Sequence, residues 1–157
     1  MSHLSFVEFQ SVVRNTPLVA IDFIVKNEAG QVLLGKRANK PAQGFWFVPG
    51  GRILKDESMN DAFIRIVKVE LGIDMRIDQA KFIGVFEHFY DDNFSGDDFT
   101  THYVVLGYEL ELDLTIAQLP AEQHDNYVWL TTDEMLSSKV VHMNSKRYVD
   151  SSNFLSK

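Results

Sequence analysis

Apolar positions recur at helical spacing near the N-terminus and at strand spacing soon after. Ser5 and Glu8 have capping-box spacing, and Phe9, Val12 and Val13 follow on one stripe. This short helix should stop near Asn15, because Thr16 precedes Pro17. Residues 18 to 26 are almost continuously apolar and read as a strand. Asn27 to Gly30 reads as a turn, and Gln31 to Arg37 as the returning strand. Residues 38 to 45, with Pro41 and Gly44, read as a loop before a short strand at Trp46 to Val48, which runs into Pro49-Gly50-Gly51. A helix is predicted from Ser58 to Gly72, with Met59, Ala62, Phe63, Ile66 and Val69 as its core face and Gly72 as its stop. Further strands are expected near 81–90, 100–112 and 127–130, then a helix over 132–136 and a second over 143–149. Strands around a central helix predict an α/β or α+β fold with a mixed sheet.

Composition narrows the class. A chain of 157 residues fits one domain, spanning 1–157, with a real core. The absence of Cys removes disulfide and thiolate chemistry and suits the cytoplasm. No apolar run is long enough to span a membrane. The start, Met1-Ser2-His3-Leu4, lacks the basic region of a signal peptide. A net charge of −7 argues against a general nucleic-acid binder, although basic residues clustered locally can still hold a small anionic ligand.

The chemistry concentrates in residues 50 to 73. Gly51, Glu57, Arg65, Val67, Glu70, Gly72 and Ile73 fall at fixed offsets across a glycine loop and the helix after it. Glycine lets backbone approach a ligand closely, and carboxylates on the following helix suit Mg²⁺ bridging to phosphate oxygens. This pattern resembles the Nudix box. Two of the box's usual glutamates are missing, with Ile66 and Val69 in their places. One acid, Glu70, remains of that group, which points to a site for one metal ion rather than several. The stretches 35–52, 88–96, 99–107 and 122–125 further resemble the GDP-mannose mannosyl hydrolases, and the likeness runs from the first helix to about Ser145.

That resemblance implies a Nudix fold, a mixed sheet sandwiched between helices. It implies a hydrolase that acts on GDP-mannose, and on GDP-glucose, in the manner of a glycosidase. Water attacks carbon 1 of the sugar with inversion, releasing GDP and free sugar. It implies one Mg²⁺ per site, for which Mn²⁺ can substitute, held by Glu70, the Gly50 carbonyl and Gln123. It also implies a homodimer, in which residues 1–16 form a helical arm reaching the partner's nucleotide through His3, Leu4 and Phe9.

Inversion at carbon needs a base on the face opposite the leaving group. His124 is the candidate, because a His side chain in general titrates near neutral pH and can accept the proton. On the residues alone it reads equally well as a solvated loop residue, and the resemblance makes it the base. Arg37 and Arg52 flank the loop, where an arginine fork matches a diphosphate. Arg65 is expected to pair with Glu57. Asp22 interrupts an apolar strand, where an acid must be satisfied by a sugar or an arginine. His88 and Tyr103 face either substrate or ordinary strand neighbours. Asp91, Asp92, Asp97 and Asp98 lack EF-hand spacing and read as a solvated loop. Two rival readings stand beside this one: a Nudix pyrophosphatase yielding GMP and sugar phosphate, and a non-catalytic nucleotide-sugar-binding module.

Overall fold

The computed structural model describes residues 3–120 and 124–150, with the side chains of His124 and Asp125 outside that description. Helix α1 (Phe6–Asn15) begins with the expected box: the Ser5 hydroxyl accepts from the Glu8 amide, and the Glu8 carboxylate accepts from the Ser5 amide. Strands β1 (Leu18–Lys26), β2 (Val32–Arg37), β3 (Trp46–Phe47), β4 (Gly50–Arg52), β5 (Lys81–Tyr90), β6 (Thr101–Glu111) and β7 (His124–Leu130) form one mixed sheet. Its main order is β3-β2-β1-β6-β5, with β4 paired to β1 and β7 to β2. The β1–β6 pair is parallel and the other pairs are antiparallel.

The alternation of β1 sorts its side chains into two cores. Ile21, Phe23 and Val25 pack with Phe63, Ile66, Val67 and Leu71 of helix α2 (Met59–Leu71). Ala20 and Ile24 face the other way, toward Val48, Val105, Met135 and Tyr148. Helices α3 (Thr132–Ser137) and α4 (Met143–Lys146) belong to that second side. The sheet therefore lies between helices, as expected. Asp22 has the parity of Ala20 and Ile24, so the strand aims its carboxylate into the second face.

Helix α2 is capped by Ser58 and closed by Gly72 in the left-handed region at φ 72°. Its buried face differs from the predicted one. Met59 and Val69 are 44% and 43% exposed, while Val67, Glu70 and Leu71 are buried. Residues 50–52, read as loop, form a strand. The segment read as a helix over 143–149 is helical only to Lys146. The last strand starts earlier than expected, at His124.

Candidate active site

The Nudix-box residues build a frame before they build a site. Arg65 holds Glu57 with two bonds, Nε to Oε2 at 2.7 Å and Nη2 to Oε1 at 2.9 Å, and Nη2 also reaches the Arg52 carbonyl at 2.7 Å. Glu57 Oε1 in turn accepts from the Leu54 amide. This is the orienting pair expected from sequence, and it fixes the turn between β4 and α2. Arg65 holds the Glu57 carboxyl below the usual range. A depressed acid stabilises the fold above its unfolded value and loses that contribution as pH falls through its folded one. The Glu57 side chain is only 3% exposed. Glu57→Gln should therefore lower stability by about 1–3 kcal/mol at pH 7. The gap from wild type should shrink at pH 3, as read by denaturant unfolding at both pH values.

Above this frame lies a cavity of about 200 Å³. Its walls bring together Asp22, Arg37, Gly50, Arg52, Glu70, His88 and Tyr103, residues singled out from six separate elements. The cross-strand partners of Asp22 are Gly50 on β4 and Gly107 on β6, so the carboxylate is flanked by two residues without side chains. The approach is close: a Cβ on Gly50 would lie 2.1 Å from Asp22 Oδ1 and 2.6 Å from the Ile21 carbonyl oxygen. Gly51 is bounded from below, where its Cβ would meet Ile66 Cγ2 at 2.9 Å. Glu70, 6% exposed, accepts from the Gly50 amide at 3.3 Å.

Electrostatics divide the cavity. Burial pushes Asp22 up to about 7, against the Tyr148 hydrogen bond and the Arg37 charge, which favour its anion, while Glu70 adds to the rise. Burial pushes His88 down to about 3, with Arg147, His142 and Arg37 adding repulsion, so its ring is neutral. Burial also raises the Tyr103 hydroxyl. The cations are positioned by aromatic faces. The Arg37 guanidinium lies 5.0 Å from the Phe47 ring centre and 5.9 Å from that of Tyr90. Arg52 lies 4.5 Å from the Phe9 ring centre.

Phe9 thus meets the site through Arg52 of its own chain, and it also packs on Phe94 at 4.6 Å. His3 and Leu4 are exposed and lie outside the cavity walls. Gln123 lies outside the described residues. The backbone of His124 pairs with Arg37, at the edge of the same region. The acidic loop does more than meet solvent: Asp92 accepts from the Ala42 amide, Asp97 pairs with Lys40, and Asp98 pairs with Arg14.

Sequence reasoning missed five contributors. Tyr148 donates to Asp22 Oδ2 at 2.6 Å and contacts His88 Nε2 at 3.2 Å. Phe47 and Tyr90 hold Arg37. Asn39 and Lys40 line the mouth. Only the last had a visible signal, a basic residue in a Pro- and Gly-bearing loop.

Residues 16–150 match the NUDIX domain family. The chain belongs to the Nudix family. A low-salt glycan biosynthesis protein, Agl8, of Haloferax volcanii is 45% identical over 107 residues, covering 68% of this chain and 66% of that protein. An ADP-ribose pyrophosphatase of Methanocaldococcus jannaschii is 37% identical over 57 residues, 36% of this chain and 33% of that one. The chain spans less than two thirds of the length of these curated relatives. The crystal structure of a MutT protein from Methanosarcina mazei Go1 superposes with a TM-score of 0.70 at 19% identity, over 91% of this chain and 98% of that one. That is a likeness of fold.

Nudix hydrolases generally use divalent metals such as Mg²⁺. Among the described residues, no three His, Asp or Glu side chains gather into a complete metal cage. The oxygen donors present still suit Mg²⁺, which keeps several waters and takes one or two carboxylates together with substrate phosphates. Among the described residues, Glu70 and Asp22 are the two carboxylates on the cavity wall. No described helix is long and apolar enough to cross a membrane.

Proposed function

We propose that this Nudix enzyme hydrolyses GDP-mannose, or a closely related GDP-sugar, to GDP and free sugar by water attack at carbon 1 with inversion. The observation that supports this most is the acid content of α2. Ile66 is buried against Gly51 and Val69 turns to solvent, so the helix offers the cavity one carboxylate, Glu70. Attack at phosphorus often gathers several metals around the attacking and leaving oxygens. Departure of an intact diphosphate from carbon asks mainly for positive charge.

The chain's own residues are assigned as follows. Arg37 and Arg52 bind the diphosphate, held in place by Phe47, Tyr90 and Phe9. Tyr103 lies beside them on the cavity wall. Asp22 and neutral His88 face the sugar. His124 takes the proton from water. Glu70, Gln123 and the Gly50 carbonyl hold Mg²⁺. When bound, Mg²⁺ neutralises charge on the diphosphate. The homodimer, with His3 and Leu4 of the arm reaching a partner's nucleotide while Phe9 stays on Arg52 of its own chain, and the cytoplasmic setting belong to the same proposal. The glycan-biosynthesis relative, 45% identical, supports a sugar-linked substrate. The likeness to an ADP-ribose pyrophosphatase favours the rival reading, cleavage at phosphorus.

Turnover of GDP-mannose in ¹⁸O water separates the two. The expected products are GDP and mannose, with the label in the sugar. GMP among the products, or label in phosphate, refutes attack at carbon.

A further inference from the structure

The segment after β7 returns to the cavity from behind. Val48 donates its amide to Ser145 Oγ at 3.0 Å, and Asn144 and Ser145 are buried. Tyr148, 4% exposed, places its hydroxyl between two cavity residues from different strands, Asp22 on β1 and His88 on β5. Its ring packs edge-on against Phe86 at 4.6 Å, which limits where the hydroxyl can go.

We propose that Tyr148 is a positioning residue for the sugar end of the site, orienting the Asp22 carboxylate and selecting the hydrogen-bonding face that His88 offers to substrate. This rests on the GDP-sugar reading above. A tyrosine hydroxyl carries one proton. The 2.6 Å bond to the ionised Asp22 carboxylate uses it, so the oxygen is left to accept from His88. His88 then carries its proton on Nε2, and its Nδ1 is an acceptor suited to a sugar hydroxyl. Burial keeps the ring neutral, so one nitrogen must remain an acceptor. Asp22 is bonded to Tyr148 at Oδ2, and its Oδ1 occupies the space that a side chain at Gly50 would fill. A phenylalanine at 148 would keep the packing and release both polar groups.

The test uses Mg²⁺-loaded full-length protein and the variants Tyr148→Phe and Ser145→Ala. Nitrogen-15 NMR of the His88 ring at pH 8 should show Nε2 protonated in wild type and a mixture of tautomers in Tyr148→Phe. Turnover of GDP-mannose by Tyr148→Phe should fall about 10²-fold in kcat, the scale expected when reacting groups are misplaced. Its Kd for GDP should stay at the wild-type value, because the diphosphate is held elsewhere. Ser145→Ala loosens the same segment without touching Asp22 or His88. It should lower Tm, through loss of the Val48 amide's partner, and leave kcat within about twofold of wild type, because the bonds of Tyr148 to Asp22 and His88 remain. Nδ1 protonated in wild type overturns the proposal. So does Tyr148→Phe with normal turnover, or a loss of GDP affinity that matches the loss of kcat. If digestion of GDP-mannose gives GMP instead, the reaction assigned above fails. The His88 tautomer and the GDP affinity still decide the role of Tyr148.

Discussion

Gly50→Ala should give a protein that unfolds easily and turns over almost no substrate. The added methyl would lie 2.1 Å from Asp22 Oδ1 and 2.6 Å from the Ile21 carbonyl oxygen. A flexible side-chain tip can yield, but a strand carbonyl cannot move without opening the β1–β4 pairing at Ile21–Gly51 and Asp22–Gly50. Overpacking usually costs about 1–3 kcal/mol, and a collision with backbone belongs at or above the top of that range. Any relief that pushes β4 away also moves the Gly50 amide from Glu70. A displacement of that kind at reacting groups lowers the rate by about 10²-fold or more. Gly96→Ala is the matched control. Its nearest new contact, Asp98 Oδ1, is at an ordinary 3.6 Å, so stability should stay within about 0.5 kcal/mol. Denaturant unfolding and turnover measured on both variants check the contrast. A well-folded, active Gly50→Ala enzyme would mean that the close approach is not needed.

His124→Gln should lower kcat by about 10²–10⁴-fold with little change in KM, the usual loss when a general base is removed. Activity of the wild type should rise with pH as its base loses a proton. An ordinary His does so at about 6.5, and Asp22, pushed up to about 7, titrates in the same window. Two groups can therefore shape one limb of the profile, and variants separate them. With His124 as base, His124→Gln loses the limb and Asp22→Asn keeps it. If His124→Gln keeps both rate and limb, the base lies elsewhere, and loss of the limb in Asp22→Asn would assign it to Asp22. Stability gives an independent reading of Asp22. Its folded value lies above 3.8, so the folded protein holds that proton more tightly, and stability falls as pH climbs from about 4 to 7. In metal-free protein, Asp22→Asn should therefore be more stable, relative to wild type, at pH 8 than at pH 4.

The elements with local signals were legible in the sequence. Ser5 with Glu8 and Ser58 with Gly72 marked helix ends by side-chain and backbone chemistry close in sequence. The run from Leu18 to Lys26 announced a central strand. The strand at Gly50–Arg52 left no such trace, because two glycines carry no alternation and pairing with β1 alone makes it regular. The face of α2 was ambiguous for a related reason. Ile64, Val67 and Val69 are all apolar, and only the sheet's position decides that Val67 turns inward while the other two stay exposed. Within the site, Asp22 stood out as an acid in an apolar strand, and Arg37 and Arg52 as cations beside a glycine loop. Tyr148 had no pattern to mark it. It is far in sequence from Asp22 and His88, and it meets them only through tertiary packing.

The cavity floor and the cavity rim are held by different bonds. The floor depends on strand pairing, the Glu57–Arg65 pair and the glycines beside Asp22. The rim is a clasp between residues 38–45 and 91–100, joined by Lys40 to Asp97 and by the Ala42 amide to Asp92. The clasp's ion pair is partly solvated, and such pairs contribute little to stability. The exposed residues of these two loops can therefore be exchanged without unfolding the floor, whereas Asn93, fully buried and bonded to the Phe99 carbonyl, cannot. Divergence, or directed selection for another substrate, has room to act there while the cavity floor stays intact.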